Sequence, residues 1–313
     1  MLKYIVKRLL IMIPTMLAII FIIFFIIQLM PSTPGRIILG IKASEEQVIE
    51  KNNELGYYDP LPVKYFRYIK NVLQGDFGNS YQSGRPVFDV LLPKFPTTLR
   101  LAFFSILTAS VVGVLIGILS AEKRYSAADV LMTVLALFFA SIPTYFLGIL
   151  MMLFFSLRLG ILPSSGVGDW RYMVMPVLSL ALPSAAFISR ITRSTMLDTI
   201  SEDYVMTARA KGCPPMRIIF SHELRNAMMP VVTDVGMSFA GLLGGSVIIE
   251  NVFGLPGFGN IILNAINTQD SPVLMASVIL LSFIFMLVML MVDVVYAFLD
   301  PRVTARTMKG GGK

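Results

Sequence analysis

The sequence is poor in the residues that carry covalent and metal chemistry. Its 313 residues include one cysteine, Cys213, and one histidine, His222. A lone thiol cannot close an intrachain disulfide. One His and one Cys cannot assemble a metal cluster by themselves, although carboxylates are present. Charge is scarce as well. Charged residues make up 14% and hydrophobic residues 56%, against about 25% and 45–50% in soluble domains. That balance excludes a soluble globular domain and defines a membrane protein. The formal net charge is +7. The basic residues are dispersed, and no aromatic-basic stripe offers a platform for stacked bases, so no nucleic-acid partner is expected.

What the sequence does have is long apolar runs. Lys3, Lys7 and Arg8 precede a run from Leu9 to Met30. About 20 such residues cross about 30 Å of hydrocarbon. No small-residue cleavage site follows, so this is read as an uncleaved first span. Leu99 to Ala121 is the second, with Gly113 and Gly117 at small-xxx-small spacing for close helix contact. Val130 to Leu157 is the third, interrupted by Pro143. Val174 to Ile191 is the fourth, with Pro176 and Pro183. Val231 to Ile249 is the fifth and is rich in small residues, among them Gly236, Gly241, Gly244, Gly245 and Ser246. Val273 to Leu299 is the sixth. The expected class is an all-α polytopic membrane protein with six transmembrane helices. Residues 1–30 hold the first helix and 31–98 an extracytoplasmic insert. Residues 99–300 form a five-helix core and 301–313 a tail. The insert reads as soluble, with one or two amphipathic helices. Ser44 and Gln47 have capping-box spacing, and Tyr65, Ile69, Val72 and Leu73 recur at helical spacing.

Orientation follows from Lys and Arg. Fifteen lie in segments that would be inside if the N-terminus is inside, and two in the short outer loops 158–173 and 250–272. That asymmetry places both termini in the cytoplasm. The insert exceeds the loop length to which the rule applies.

The main polar segment, 199–230, then faces the cytoplasm. It reads as two short helices with a break. Thr199 and Glu202 have capping-box spacing. Glu202 and Asp203 sit in the first turn, where the helix dipole favours anions, and Arg209 and Lys211 in the last, where it favours cations. Gly212 suits a left-handed helix terminator. Pro214 and Pro215 can open the next helix. That helix carries Met216, Ile219 and Phe220 toward one face, and Arg217, His222 and Arg225 elsewhere. On the outer side, Glu250 to Asn260 sets Gly254, Pro256, Gly257 and Gly259 among apolar residues. It reads as a re-entrant or surface-lying segment, which membrane depth tolerates only against protein or a water-filled path.

T-A-R-A-K-G at Thr207–Gly212, H-E-L-R-N-A at His222–Ala227 and Met229-Pro230 resemble the cytoplasmic coupling loop of ABC-importer permeases. The likeness is to the dipeptide/oligopeptide/nickel branch, and within it to the B-type permease of the pair. The general loop reads E-A-A, three residues, Gly; here Met206, Thr207 and Ala208 stand at the first three positions. Only Ala208 and Gly212 match that form, whereas T-A-R-A-K-G is the form usual in the peptide branch. The strings L-G-Y-Y-D-P-L, G-D-F-G-N-S, E-N-V-F-G-L-P-G-F-G-N and D-V-V-Y-A-F-L-D-P-R are also similar to that branch, so the resemblance covers nearly the whole chain. It implies a type I ABC-importer permease fold in a bacterial or archaeal cytoplasmic membrane. It implies the pore subunit of an ATP-driven peptide importer, with nickel chelates or glutathione as alternative cargo. Implied partners are a homologous second permease, two ABC ATPase subunits, an extracytoplasmic substrate-binding protein and membrane lipid. ATP would be bound by the ATPases, with no cofactor in this chain. The resemblance assigns ATPase coupling to Glu202, Asp203, Thr207, Ala208, Arg209, Ala210, Lys211, Gly212, His222 and Arg225. The pathway or its helix packing falls to Gly241, Gly244, Gly245 and Ser246. The outer loop is represented by Glu250, Phe253, Gly254, Pro256, Gly257 and Gly259.

Other strings carry no chemistry. The terminal Gly310-Gly311-Gly312-Lys313 lacks the first Gly and the final Ser or Thr of a P-loop. His222-Glu223 opens an H-E-x-x-H whose second His is Asn226. Gly166-Val167-Gly168-Asp169 and Tyr58-Asp59 lie in outer segments, away from the bilayer depth that an intramembrane aspartyl protease needs. No enzymatic activity is expected. No paired acids stand at mid-span, which argues against a stand-alone secondary transporter or channel. Asp234, Asp293 and Glu250 are read as snorkelling or capping groups near the interfaces. Arg190 and Arg193 are read as inner-interface anchors.

Overall fold

The computed structural model describes residues 2–299. The closing motif beyond Leu299 and the basic residues after 300 lie outside the described residues. Every regular element among the described residues is helical: α1 (Leu2–Gln28), α2 (Pro34–Leu39), α3 (Glu45–Glu54), α4 (Leu61–Leu73), α5 (Val87–Leu91), α6 (Phe95–Glu122), α7 (Ala127–Ser141), α8 (Thr144–Met151), α9 (Arg171–Ile200), α10 (Asp203–Ala210), α11 (Pro215–Arg217), α12 (Leu224–Val252), α13 (Phe258–Asn267) and α14 (Ser271–Leu299). Five of the helical stretches are long and apolar enough to cross a membrane, and α7 with Thr144–Arg158, which is α8 and the π-helical stretch Met152–Arg158 that follows it, makes a sixth if a bent pair counts as one span. The bend is 100°. Its cause is Pro143: the residue before a proline is driven out of the helical region, and Ile142 is extended at φ −83° and ψ 128°.

The described chain forms two compact units. Residues 99–255 make up the body of one, and 8–98 with 256–286 the other.

In the first unit α9 is the hub. Gly113 and Gly117 let α6 approach it. A Cβ at Gly113 would stand 2.8 Å from the Ala185 carbonyl oxygen, and one at Gly117 2.5 Å from Thr192 Cβ. The expected close contact therefore exists, and its partner is α9. On the same helix Arg193 is not a free interface anchor. Its Nε and Nη2 each donate to a carboxylate oxygen of Asp129 at 2.8 Å. Asp129 is 4% exposed. It also accepts from the Ser120 hydroxyl and from the Tyr125 N–H, while Ser126 caps α7. A buried carboxylate persists only when paired and hydrogen-bonded, and four donors from α6, α9 and the connecting loop meet that demand here.

In the second unit Phe24, Ile27, Val87, Leu91, Phe258 and Ala276 are among the buried core. The insert contains four short helices, α2 to α5, where one or two were expected. The capping box at α3 forms as read: the Gln47 N–H donates to Ser44 Oγ, and the Ser44 N–H to Gln47 Oε1. Asp270, 3% exposed, ties the turn before α14 to the insert. It accepts from the Ser80 hydroxyl at 2.6 Å and from the N–H groups of Tyr81 and Gln82. Burial, with the Asp270 charge beside it, pushes the Tyr81 hydroxyl up to about 12.

Candidate functional site

The polar segment after α9 is built around one helix end. Helix α10 stops at Lys211, and Gly212 follows at φ 76°. The Gly212 N–H donates to the Arg209 carbonyl at 3.0 Å, and the Cys213 N–H to the Ala208 carbonyl at 3.2 Å. These are the two bonds of a Schellman terminator, which needs a left-handed residue at that place. Pro214 then caps α11 with extended backbone, and Pro215 is its first residue, so both prolines do what their fixed φ suits.

Three parts of the local reading need correction. No capping box forms at the start of α10. Thr199 lies in the last turn of α9, where its hydroxyl donates to the Thr195 carbonyl at 2.8 Å. Glu202 is the N-cap of α10 by backbone alone. Secondly, the segment after Pro214 is not a separate short helix. Residues 215–252 run on as one stretch through a π-helical turn at Ile218–Glu223, across Pro230 and into the fifth span. Thirdly, the buried residues of that turn are Ile218 and Glu223, whereas Met216 and Phe220 are exposed.

Glu223 is the residue that sequence reasoning passed over. It is fully buried, and its Oε1 accepts from Arg209 Nη2 at 2.9 Å. Glu122, at the end of α6, interacts with the same carboxyl and lies in the field of Arg209. The guanidinium therefore joins α10 to the base of α12, and Glu122 of α6 stands beside the same Glu223 carboxyl. A second strut runs from Asn226 Nδ2 to the Tyr204 hydroxyl at 2.9 Å, and burial raises the Tyr204 pKa. Val205 and Ala208 turn inward. Glu202, Asp203, Thr207, Ala210 and Lys211 are exposed, as is Arg225, and His222 is half-buried. The Thr207 hydroxyl is returned to the Asp203 carbonyl. The result is a braced knob with an outward face of charged and polar residues plus Met206, Met216 and Phe220.

In α12, Gly241, Gly244 and Gly245 are exposed, and a Cβ at any of them would meet no atom within 4 Å. They are not packing sites within this chain. That part is played by Gly236, whose Cβ would lie 2.1 Å from Val292 Cγ2. Ser246 is buried and donates to Glu250 Oε1 at 3.1 Å. Glu250 is itself fully buried, so it is not a snorkelling group. The helix ends as α10 does. Gly254 at φ 61° follows Phe253, with the Gly254 N–H on the Asn251 carbonyl and the Leu255 N–H on that of Glu250. The Phe253 carbonyl accepts from the Gly166 N–H at 3.0 Å, and its ring covers Gly148. In the second unit Gly257 caps α13 and the Phe258 N–H donates to Thr98 Oγ1 at 2.8 Å. Pro256 is half-buried, and Gly257 and Gly259 are buried. The segment is thus a packed turn followed by a 10-residue helix, too short to cross a bilayer.

Two family descriptions match the chain. "Binding-protein-dependent transport system inner membrane component" matches residues 113–305, and its N-terminal counterpart matches residues 1–102. The glutathione transport system permease protein GsiC of Salmonella paratyphi A is 42% identical over 303 residues, covering 97% of this chain and 99% of the relative. The GsiC of Escherichia coli K12 is 39% identical over the same coverage. Among solved structures, an inward-facing MetNI methionine ABC transporter is similar at a TM-score of 0.59 and 22% identity, over 67% of this chain and 96% of that one.

Proposed function

Because the chain belongs to the binding-protein-dependent transport system inner membrane components, and so is a multi-pass permease and not an enzyme, we propose that it forms half of the pathway of an ATP-driven importer of short peptides. The relatives at 39–42% identity are named for glutathione transport. Glutathione is a tripeptide, so that cargo and the peptide reading fall within one chemical class. A homologous second permease completes the pathway, two ATPase subunits dock from the cytoplasm, and an extracytoplasmic binding protein delivers the solute. Both chain termini lie in the cytoplasm.

The observation that carries this reading is the braced knob. A connector between two spans has no need of an ion pair to a fully buried Glu223. A lever does, because ATPase closure must move the faces around Gly212 without deforming them. Arg209–Glu223 and Asn226–Tyr204 supply that stiffness, and the charged and apolar outer face is available for docking. The open glycines of α12 then face the second permease or the pathway, where a helix without side chains allows close approach. A substrate is moved only if it binds the two access states differently.

The test is uptake of labelled glutathione and labelled dipeptides by proteoliposomes holding the assembled complex and its binding protein. ATP-dependent uptake of either is expected. Uptake driven by an ion gradient through this chain alone would sink the reading.

A further inference from the structure

Helix α4 has no buried residue, yet it is tied to α1 at two levels. Lys64 Nζ donates to Oε1 of Gln28, the last residue of α1, at 2.7 Å. The next residue reaches the other way. The Tyr65 hydroxyl donates to the Leu17 carbonyl at 3.0 Å, and its ring packs edge-on against Phe21 and Phe24. The two attachment points are about 16 Å apart along α1 at 1.5 Å per residue. Consecutive residues can reach both only if α4 lies across α1 between those levels, below the rim of the span. Its cation then points to the rim and its phenol ring into the apolar turns, the disposition of a helix lying in a membrane interface.

The exposed surface agrees. Phe66, Ile69 and Leu73 stand at i, i+3 and i+7, on one side of α4. Phe66 is 68% and Leu73 82% exposed. Phe66 packs on Tyr65 and Tyr65 on Phe21, and Phe21 is itself exposed on α1. The apolar surface of α4 is thus continuous with a surface of the first span. The opposite side, Lys64, Arg67, Tyr68 and Asn71, lines a cavity of about 620 Å³. Lys70, at the edge of the stripe, has the stem to snorkel.

We propose that α4 is an interfacial helix, lying in the leaflet at the C-terminal end of α1 with Phe66, Ile69 and Leu73 against phospholipid acyl chains. The insert is then not a purely aqueous domain. In the topology proposed above this is the outer leaflet, but the inference needs only that α1 spans. A protein docking from water would meet a face above the headgroups, whereas the Tyr65–Leu17 bond sets this one below the rim.

The test uses the assembled complex carrying Cys213→Ser and a single new cysteine, Phe66→Cys, Leu73→Cys or, as the control in water, Ile41→Cys, which replaces a residue 95% exposed. Each is labelled with an environment-sensitive fluorophore in phosphatidylethanolamine/phosphatidylglycerol nanodiscs, with and without brominated acyl chains. Bromolipid should quench the labels at 66 and 73 and leave the label at 41 bright, with or without the binding protein. Labels at 66 and 73 that escape quenching as 41 does would overturn the proposal. So would labels that only the binding protein shields, which would make the face a protein-docking surface. Transport is not read, so this outcome is separable from that of the importer reading.

Discussion

At the scale of single residues, Gly212 and Glu223 decide the knob. A side chain at Gly212 meets open space, so Gly212→Val acts through backbone conformation alone. Leaving the favoured region costs about 1–2 kcal/mol, which the spans can absorb and the terminator cannot. Gly212→Val should insert and fold, yet lose ATPase subunits on co-purification and lose substrate-stimulated ATP hydrolysis. Normal docking with normal coupling would reduce the segment to a connector. Arg209 is a poor docking probe, because reversing it would set a third acid beside Glu223 and Glu122. Arg209→Ala leaves a buried carboxylate without its cation. Removing one partner of a buried pair costs roughly 3–5 kcal/mol, less here because Arg209 is half exposed. The expected result is a knob that proteases cut faster, with docking lost alongside. Lys211→Glu, on the exposed face, should weaken docking without changing that cleavage.

At the scale of elements, two glycine pairs with the same spacing behave oppositely. Gly117→Leu would drive side-chain atoms into the α9 main chain, with the Ser189 carbonyl oxygen 2.8 Å from the Cβ position. It should abolish monodisperse protein in detergent. Gly241→Leu meets nothing in its own chain, so it should fold and then fail in assembly with the second permease or in uptake. If both assembly and uptake survive, the open face of α12 looks onto lipid. Asp129→Ala removes the centre that joins α6, α7 and α9. It should lower the thermal midpoint in detergent more than Asp169→Ala does, since the Asp169–Arg171 pair is 3.8 Å apart and exposed, and such pairs contribute about 0–1 kcal/mol.

At the scale of the whole molecule the question is topology. Ile41→Cys in intact cells should react with an impermeant thiol reagent, and native Cys213 only after permeabilisation. The reverse pattern would invert the orientation and remove the coupling role with it. Ser80 would be a misleading probe for that experiment, because it is buried on Asp270.

Composition and period were enough for the class of molecule, the apolar spans, the break at Pro143 and the left-handed helix end at Gly212. These are local: an apolar run, a proline and a glycine act on their own few residues of backbone. Two exceptions on the knob show where local rules stop. Thr199 has capping spacing, but α9 runs past the expected end of its span and absorbs it. Glu223 lies five residues after Ile218, about 140° away around an α-helix, so helical periodicity puts it on another face. The π-helical turn brings both inside. Tertiary structure alone decided which carboxylates are buried. Glu223, Glu250, Asp129 and Asp270 owe their places to donors such as Arg209, Ser246, Arg193 and Ser80. Three of those four donors lie far away in the chain. It likewise decided which glycines pack: Gly117 and Gly241 look alike in sequence, and only the arrival of another helix at the first distinguishes them.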